Sequence, residues 1–409
     1  MPDKNIKLYG AHWCPDCRRS KRFLGEQQIA YDWIDIEQDE AAREYVVQVN
    51  DGKRIIPTIV FPDGSILAEP SNSELAHKVG LRTEAEHTFY DLIVIGAGPA
   101  GLTAALYTAR EGISTLVVEM GGLGGQAAAT QEIENMPGFP EPIDGGEFAD
   151  RLVQQAQRFG VEILQAQEIT GIEARDGHSR WVTTSDGSEY GACAIVIATG
   201  ADYRRLNVAG ENDFIGAGVH FCATCDGPFY KGEELVVVGG GNSAAEEGVF
   251  LTTFSPKVTL LVRGTELKAS QIAIDKVMDH PKINILFNTE IKAFEGKNGK
   301  LTKITAENNK SGERTTLTPG AVFVFIGQSP NTDFLQGTLE LDRWGFVLTG
   351  HDLLHAVEGI EGDPEFLETS MPGVFAAGDV RTGSTKQVAS AAGEGATAAL
   401  LVREYLKEI

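Results

Sequence analysis

The chain has 409 residues, of which 42% are hydrophobic and 23% are charged, and its formal net charge is −23. This length is enough for two or three domains that each bury a core. A surface this acidic repels nucleic acid and anionic lipid, so neither is an expected partner. The sequence has no apolar run that could cross a membrane and no apolar signal core in its first residues, so we expect a cytoplasmic protein.

Four of the five cysteines form two C-x-x-C pairs, Cys14 with Cys17 and Cys222 with Cys225. In a reducing cytosol such pairs indicate redox chemistry or metal binding rather than a structural framework. A zinc site needs a second pair or histidines nearby in sequence, so redox chemistry is favoured over a zinc half-site or an inert pair. Cys193 stands alone in an apolar segment, as a small buried hydrophobe does.

The first 80 residues have the pattern of a small βαβ domain. Strands are predicted at 6–9, 31–36 and 58–61, and helices at 14–26, 41–50 and 73–79. A turn at 62–65 leads to a hairpin partner near Ile66, and Pro57, just before a strand, fits a cis proline that faces the dithiol. Residues 81–88 are polar and unpatterned, which predicts a linker that lets this domain swing.

Cys14 stands at the start of the first predicted helix, with Pro15 in its opening turn and Arg18 and Arg19 beside it. The helix dipole and the arginines would stabilise a thiolate there. Cys17, one turn further on, is placed to resolve a mixed disulfide.

A first nucleotide fingerprint runs from Gly96 to Gly101, after a predicted strand at 90–95 and before a helix that ends near Arg110. Glycines there permit a tight turn and a close approach of the backbone to pyrophosphate, which the helix N-terminus attracts. Glu119 ends the next predicted strand, where a carboxylate binds a ribose hydroxyl. The strand, the helix and the acid together predict a nucleotide site.

A second fingerprint, Gly239–Ala244, follows the apolar strand Leu235–Val238. Its partner strand, Val258–Val262, is followed by Arg263 and Lys268 rather than by an acid, and cations suit a 2′-phosphate. Further strands are predicted at 193–198, 322–326 and 373–379. Their order predicts that the second nucleotide-binding unit is inserted into the first.

Asp226 directly follows the second cysteine pair, and its carboxyl could exchange a proton with a thiolate leaving group. Elsewhere, His351 with His355 and Glu246 with Glu247 have the pattern of solvated helix faces, and no metal site is predicted.

Residues 89–409 resemble the low-molecular-weight thioredoxin reductases, and residues 5–80 resemble glutaredoxins of the mycoredoxin-like branch. The reductase motifs are GAGPAG from Gly96, GGQ from Gly124, ENMPGF from Glu134, ATG from Ala198, CATCDG from Cys222, GGGNSAAEE from Gly239, GQSPNT from Gly327 and GVFAAGDV from Gly373. The glutaredoxin-like features are the WCPDC centre, Pro57 and the Asp63–Gly64 turn.

The resemblance implies an α/β fold with a thioredoxin-fold domain followed by two Rossmann-like domains, the second inserted into the first. The expected boundaries are 1–80 for the glutaredoxin-like domain, 81–88 for the linker, 89–206 with 320–409 for the FAD domain, and 207–319 for the NAD(P)H domain that carries the CATC dithiol.

The same resemblance implies FAD in the first nucleotide unit and NADPH in the second. The implied FAD contacts are Gly96, Gly98, Pro99, Ala100, Gly101, Glu119, Gly125, Gln126, Asn135, Thr199, Gly200, Gly378, Asp379, Lys386, Gln387 and Val388. The implied nicotinamide-nucleotide contacts are Gly239, Gly241, Asn242, Ser243, Ala244, Arg263 and Lys268.

The family also implies that Cys225 faces the flavin, that Cys222 attacks the outgoing disulfide, and that Asp226 is the acid. The CATC-bearing domain is expected to rotate about strands near 206–216 and 316–321, and the molecule is expected to be a homodimer.

Three features depart from the family pattern. The usual His-Arg-Arg NADPH signature is replaced by Val262-Arg263-Gly264, which keeps one arginine, and Lys268 stands where the family has another arginine. NADPH is therefore still the favoured donor, and NADH or a donor such as ferredoxin stays open. Lys386 replaces an arginine near the flavin. Residues 350–370 form a longer, acidic segment to which we assign no role.

We therefore expect electrons to pass from NADPH through FAD and Cys222–Cys225 to Cys14–Cys17. The final acceptor would be a low-molecular-weight disulfide or a protein disulfide of the thioredoxin, glutaredoxin or peroxiredoxin type. The alternatives are a reductase that serves a separate thioredoxin or peroxiredoxin, and a flavoprotein redox sensor.

Overall fold

A computed structural model describes residues 5–27, 29–128, 130, 132–297, 299–357 and 363–409. The chain divides into two compact units. The first comprises 1–129, 143–200 and 330–409, and the second comprises 130–142 and 201–329. Both stretches of the second unit therefore lie, in sequence, between segments of the first.

The N-terminal part of the first unit has the thioredoxin fold. Its elements are β1 Ile6–Gly10, α1 Pro15–Glu26, β2 Tyr31–Asp35, α2 Glu40–Val49, β3 Thr58–Val60, β4 Ile66–Ala68 and α3 Asn72–Lys78. The sheet order is β2-β1-β3-β4, with β1 parallel to β2 and antiparallel to β3. The predicted elements are all present, and their ends differ by one or two residues.

Local sequence explains where these helices begin. Cys14 caps α1 and Pro15 occupies its first turn, where the missing N–H costs nothing. Asp39 caps α2 with its side chain. Ser71 and Glu74 form a reciprocal capping box at the start of α3, which satisfies two N–H groups that the helix itself leaves unpaired.

Residues 81–88 contain neither helix nor strand, as predicted, but they are fastened to the rest of the first unit. Glu162 binds this segment twice, through the Glu86 N–H at 2.8 Å and the Arg82 guanidinium at 3.1 Å, and it also accepts the Tyr90 hydroxyl at 2.5 Å. The Arg82 carbonyl accepts the Gln165 N–H at 2.8 Å. The predicted linker, which lets the domain swing while keeping it close, is therefore tied to the first unit by hydrogen bonds and an ion pair.

The first nucleotide-binding fold begins directly after this segment. Its first elements are β5 Phe89–Ile95, α4 Pro99–Arg110, β6 Thr115–Val118, α5 Gly125–Ala128, α6 Gly145–Arg158, β7 Glu162–Leu164, β8 Ile169–Arg175, β9 Ser179–Thr184 and β10 Glu189–Ile197.

The chain then enters the second unit. Its elements are β11 Ala201–Tyr203, β12 Val219–His220, α7 Ala223–Asp226, β13 Leu235–Val238, α8 Asn242–Leu251, β14 Val258–Val262, α9 Gln271–Met278, β15 Ile283–Phe287, β16 Thr289–Lys297, β17 Lys300–Asn308, β18 Arg314–Leu317, β19 Ala321–Val324 and β20 Gln328–Pro330. Short 3₁₀ turns lie at Glu211–Asp213 and Gly227–Tyr230.

The return to the first unit adds a 3₁₀ turn at Asp333–Leu335, α10 Gly350–Ala356, β21 Val374–Ala376 and α11 Val388–Glu408. The predicted acidic segment at 350–370 begins as α10, and its residues 358–362 lie outside the described part of the chain. Nothing in the described residues assigns it a role.

The large sheet of the first unit has the order β7-β6-β5-β10-β9-β8, and β21 also pairs with β10. The strands β7, β6, β5, β10 and β21 are parallel, as in a nucleotide-binding fold. Leu92 and Val94 belong to one buried cluster, whereas Ile93 and Ile95 belong to another. The central strand is therefore covered on both faces, which explains its unbroken apolar sequence.

The second unit is built around the parallel sheet β12-β19-β13-β14-β15. Val237 and Val238 of β13 face different buried clusters, so this sheet is also covered on both sides. An antiparallel sheet, β16-β17-β18, follows, and neither it nor the β8-β9 pair was among the predicted strands. The predicted α/β class, with a thioredoxin-fold domain and two nucleotide-binding folds, is confirmed; the finer domain boundaries stay predictions.

Candidate active site

The first dithiol sits at the N-terminus of α1. The Cys14 sulfur accepts the Cys17 N–H at 3.1 Å and lies 3.7 Å from the Ile56 carbonyl oxygen. Ile56–Pro57 is a cis peptide bond, as predicted. A sulfur in this capping position meets free helix N–H groups and the positive end of the helix dipole, which favour an anion.

The second sulfur of this pair has a different environment. Cys17 is fully buried, and burial, with a hydrogen bond from the Cys17 thiol to Cys14 as a second cause, raises the Cys17 pKa to about 12. A Cβ at Gly10 would lie 2.6 Å from the Cys17 sulfur and 2.8 Å from the Trp33 ring. Glycine at position 10 therefore makes room for the buried thiol, a requirement that the sequence did not reveal.

One predicted partner of Cys14 is engaged elsewhere. The Arg19 guanidinium donates to Asp16 at 2.6 Å and to the Pro70 carbonyl at 2.8 Å. Its predicted part in stabilising the Cys14 thiolate is therefore not supported, because the two hydrogen bonds hold the guanidinium. Arg18 is exposed.

The second dithiol repeats the geometry of the first. Cys222 caps the short helix α7, and its sulfur accepts the Cys225 N–H at 3.2 Å. Here the two cysteines are joined as a disulfide, and both are partly exposed.

Asp226, the predicted acid, is held by a residue that sequence reasoning did not single out. Its Oδ1 lies 3.2 Å from Nδ1 of His220, and Nε2 of His220 lies 2.7 Å from the Tyr230 hydroxyl. Burial, together with the charges of Asp226 and Glu233, raises the Tyr230 pKa to about 12. The spacing of His220, Asp226 and Tyr230 matches no metal-ligand motif, so no local sequence pattern singled out the histidine.

The first glycine fingerprint is shaped by close backbone packing. Gly96 has a φ of +103°, and a Cβ there would collide with the Ala198 carbonyl; a Cβ at Gly101 would collide with the Gly96 carbonyl. At Gly98, by contrast, a Cβ would meet nothing within 4 Å. Gly98 caps α4 without a side-chain hydrogen bond, and Pro99 follows it. The open space beside Gly98, in front of the helix N-terminus, fits a phosphate group.

Glu119 closes this fingerprint from the next strand. Its two carboxylate oxygens accept the N–H groups of Ala97 and Gly121, each at 2.6 Å. A Cβ at Gly125 would lie 3.3 Å from the Gly98 Cα, which brings the GGQ motif against the fingerprint. The structure thus assembles the fingerprint, the acid and the GGQ glycine in one place.

A turn in the C-terminal part of the chain packs against the first fingerprint. A Cβ at Gly378 would lie 3.0 Å from the Ala100 side chain. Asp379 follows, and burial raises its pKa. The Gly378 N–H donates to Glu394 at 2.7 Å, and Arg381 binds both oxygens of Glu394 at 2.7 and 2.8 Å. No sequence pattern pointed to this buried ion pair, which holds the turn at Gly378 and Asp379 against α11.

Lys386, which replaces an arginine of the family pattern, has a φ of +57°. Its ammonium donates to the Asp379 carbonyl at 2.5 Å and lies 4.3 Å from the centre of the Phe346 ring. Burial lowers the Lys386 pKa. The lysine therefore braces the turn that carries Asp379.

The remaining predicted flavin contacts lie at the ends of strands and helices or in the stretch 130–142. Thr199 and Gly200 follow β10 and are tied to Asn331, whose carbonyl accepts the Thr199 hydroxyl at 2.8 Å. Gln126 lies in α5, Gln387 caps α11, and Val388 begins α11. Asn135 belongs to the stretch 130–142 of the second unit, and its flavin contact stays a prediction.

The second fingerprint, like the first, has a glycine with a positive φ in a closely packed position. Gly239 has a φ of +149°, and a Cβ there would lie 2.7 Å from Ala244, which is buried. Gly241 caps α8 without a side-chain hydrogen bond. The Lys268 N–H donates to the Gly240 carbonyl at 2.6 Å, so the backbone of this lysine lies next to the fingerprint.

Other predicted contacts of this fingerprint lie at its rim. The Asn242 side chain accepts the Ser270 N–H at 2.7 Å, and Ser243 is exposed. Arg263 follows β14 with its side chain exposed, and Lys268 is also exposed. Two cations therefore follow the strand at whose end a 2′-phosphate would be recognised.

Two minor expectations are wrong. Glu247 is not on a solvated face, because its Oε2 is buried without a hydrogen-bond partner among the described residues, and burial raises the Glu247 pKa. Cys193 is partly exposed rather than fully buried, although desolvation still raises its pKa. In both cases the neighbouring elements, and not the local pattern, set the exposure.

His351 and His355 are exposed, as predicted, and their Nε2 atoms lie 3.0 Å apart. Within the described ranges no group of three or more His, Cys, Asp or Glu side chains could hold a metal ion. None of the helices described is both long and apolar enough to cross a membrane.

Comparison with known families matches both parts of the chain. The pyridine nucleotide-disulphide oxidoreductase family matches residues 90–395, and the glutaredoxin family matches residues 6–66. The thioredoxin reductase of Bacillus subtilis is 40% identical over 325 residues, which cover 80% of this chain and 97% of that protein.

Solved structures give the same result. The thioredoxin reductase of Streptococcus pyogenes has a TM-score of 0.72 at 37% identity and covers 79% of this chain and 99% of its own. That of Giardia duodenalis has a TM-score of 0.71 at 33% identity, with 78% and 100% coverage. The chain belongs to the pyridine nucleotide-disulphide oxidoreductase family, as a flavin-dependent disulfide reductase of the thioredoxin reductase type that carries a glutaredoxin domain at its N-terminal end.

Proposed function

We propose that this protein passes two electrons at a time from NADPH through FAD to Cys222–Cys225, then to Cys14–Cys17, and finally to a client disulfide. The observation that carries the proposal is the shared geometry of the two dithiols. In each pair the first sulfur caps a helix and accepts the N–H of the second cysteine. Both pairs are thus built for thiol–disulfide exchange.

The residues of the first fingerprint fit FAD. Space is open beside Gly98 at the N-terminus of α4, and Glu119 stands at the end of β6. Asp379, on the turn that packs against Ala100, completes the set. A flavin held there would supply two-electron transfer between a nicotinamide and a disulfide.

The second fingerprint supports a nicotinamide nucleotide, and Arg263 with Lys268 supports NADPH over NADH. Both are exposed cations that follow β14, and a 2′-phosphate needs such a partner. The family resemblance also supports a homodimer, which stays a prediction.

The exchange steps use only the cysteines of this chain. The Cys222 thiolate attacks the Cys14–Cys17 disulfide, so that one new S–S bond forms and the old one breaks. The Cys225 thiolate then attacks the Cys222 sulfur, which restores the Cys222–Cys225 disulfide and leaves Cys14 and Cys17 reduced. Both pairs are on one chain, so the exchange takes place either within that chain or between the two chains of the expected homodimer.

Reduced Cys14 would then attack the client, either a protein disulfide or a mixed disulfide with a low-molecular-weight thiol. Its capping position supports this role. The raised pKa of Cys17 makes that sulfur the less reactive of the two, which leaves it the later step of resolving the mixed disulfide.

An anaerobic titration of the FAD-loaded protein with NADPH tests the relay. One flavin and two disulfides hold three two-electron equivalents, so the wild type is expected to take up three. The matched control is the double variant Cys14→Ser, Cys17→Ser, which is expected to take up two. Uptake of two by the wild type would show that the N-terminal dithiol is not served, and the relay would be wrong.

A further inference from the structure

A buried histidine connects the acid beside the second dithiol to a tyrosine. His220 is 6% exposed, and its two ring nitrogens face Asp226 at 3.2 Å and the Tyr230 hydroxyl at 2.7 Å. The three residues come from β12, from α7 and from the 3₁₀ turn that follows α7. They lie within a short stretch that also contains Cys222 and Cys225.

The partners fix where the hydrogens of this triad are. A carboxylate only accepts hydrogen bonds, so Nδ1 of His220 carries the hydrogen that faces Asp226. In the neutral ring Nε2 is then an acceptor, and the Tyr230 hydroxyl donates to it. Burial raises the Tyr230 pKa to about 12, which keeps that hydroxyl protonated at neutral pH.

Aromatic packing holds the histidine ring in this orientation. The His220 ring centre lies 5.5 Å from that of Phe323 and 5.2 Å from that of Tyr230. Phe323 is fully buried, and it also meets Tyr230 edge-on at 6.3 Å. Since both neighbours are rigid rings, His220 has little freedom to turn away from Asp226.

We propose that His220 is a positioning residue that holds Oδ1 of Asp226, so that the transferable proton of this carboxyl is confined to Oδ2. Tyr230 fixes the tautomer of His220 that makes this possible. The inference rests on the proposed function and on Asp226 as the acid that the family resemblance implies for the second dithiol.

Oδ1 of Asp226 keeps the same hydrogen-bond donor whether the carboxyl is protonated or ionised. In the acid form, Oδ1 accepts the Nδ1 hydrogen of His220 and Oδ2 carries the proton. When Cys222 attacks a disulfide, a new S–S bond forms, the old one breaks, and the departing sulfur takes its electron pair. The Oδ2–H bond then breaks and an S–H bond forms, while Oδ1 keeps the same donor.

Three substitutions separate this role from simple packing, in a background where Cys14 and Cys17 are both Ser. His220→Asn places an amide near Nδ1 and keeps a donor for Asp226, whereas His220→Gln places it near Nε2 and serves only Tyr230. His220→Leu removes both. The pre-reduced enzyme is mixed in a single turnover with bis(2-hydroxyethyl) disulfide, whose leaving thiolate needs a proton.

The Gln and Leu variants are expected to lose on the order of tenfold in rate, and the Asn variant to stay within about threefold of the parent. With an aromatic disulfide such as 5,5′-dithiobis(2-nitrobenzoate), whose leaving thiolate is stable without a proton, all three are expected to react at the parent rate. His280→Gln, at a partly buried histidine of the same unit, is the control and is expected to change neither rate.

Equal rates for the Asn and Gln variants, or equal losses with both disulfides, would assign His220 a packing role and overturn the inference. Asp226→Asn separates this failure from a failure of Asp226 as the acid, and the NADPH titration tests the proposed relay independently. If Asp226→Asn reacts normally with the alkyl disulfide, Asp226 is not the acid, and the acid role and the inference about His220 are both wrong. If it is slow while the His220 variants are normal, only the inference about His220 is wrong.

Discussion

At the scale of single residues, the two cysteines of the first dithiol are made different by their surroundings. Cys14 caps α1 and accepts a backbone N–H, whereas Cys17 is enclosed by the core beside Gly10 and Trp33. A thiolate is stabilised by the first environment and destabilised by the second. Since both side chains are buried, the proposed attacking and resolving roles follow from the helix-capping position of Cys14 and from the order of the C-x-x-C motif.

Alkylation of the reduced protein at pH 8 tests this difference. Because burial raises the Cys17 pKa to about 12, we expect iodoacetamide to label Cys14 first and Cys17 only after unfolding. Peptide mass spectrometry gives the two labelling rates, and Cys14→Ser is the control that should remove the fast phase. Equal labelling of Cys14 and Cys17 would contradict the assigned roles.

The same pKa shift has a consequence for stability, and its sign is definite. Folding raises the Cys17 pKa above its ordinary value of 9.0. The reduced domain therefore has its full stability below about pH 9 and loses part of it as the pH rises toward 12.

At the scale of elements, the end of α1 ties the glutaredoxin domain to the first nucleotide-binding fold. The Gln27 amide donates to the Gly121 carbonyl at 2.6 Å and accepts from Gln165 at 3.3 Å. Leu81 and Ala166 join the apolar cluster of the glutaredoxin domain from outside it. Together with the Glu162 contacts of the linker, these interactions attach the domain to the first nucleotide-binding fold.

Gln27→Ala is expected to loosen this attachment. One net hydrogen bond contributes about 1 kcal/mol, which corresponds to roughly fivefold more of the detached state. Limited proteolysis within 81–88 measures that population, and cleavage is expected to be faster by the same factor. Gln38→Ala, at an exposed glutamine of the same domain, is the matched control. Identical cleavage of the two variants would show that Gln27 does not hold the domain.

At the scale of the whole molecule, the net charge of −23 opposes the binding of an anionic donor. Arg263 and Lys268 are local exceptions on the loop after β14. Since the long-range field repels NADPH and NADH alike, discrimination between them has to come from charges close to the 2′-phosphate.

Arg263→Gln is therefore expected to raise the KM for NADPH by about tenfold and to leave the KM for NADH within about twofold, because one charge-assisted contact contributes about 1.5 kcal/mol or more. Steady-state rates with each donor give both values. Lys276→Gln removes the same charge from α9 and is the control. An equal change in the KM for both donors in Arg263→Gln would show that this loop does not bind the 2′-phosphate.

Much of the site could be predicted because its chemistry is carried by local motifs. The fingerprints, Glu119 and both cysteine pairs are short patterns whose geometry depends on neighbours in sequence. Gly10, His220 and the Glu394–Arg381 pair escaped prediction, because each acts through a residue that only the folded chain brings near. Glu247 was misjudged for the same reason, since packing against other elements buries its carboxylate oxygen.

The sequence by itself determined the α/β class, the order of the folds, the two dithiols and the positions of the nucleotide fingerprints, because apolar periodicity and glycine spacing act over a few residues. Only the tertiary structure decided that both sulfurs of the first dithiol are buried, which partner holds Asp226 and whether the linker is free. Those outcomes depend on desolvation and on hydrogen bonds between segments far apart in the chain, and such contacts leave no local pattern to read.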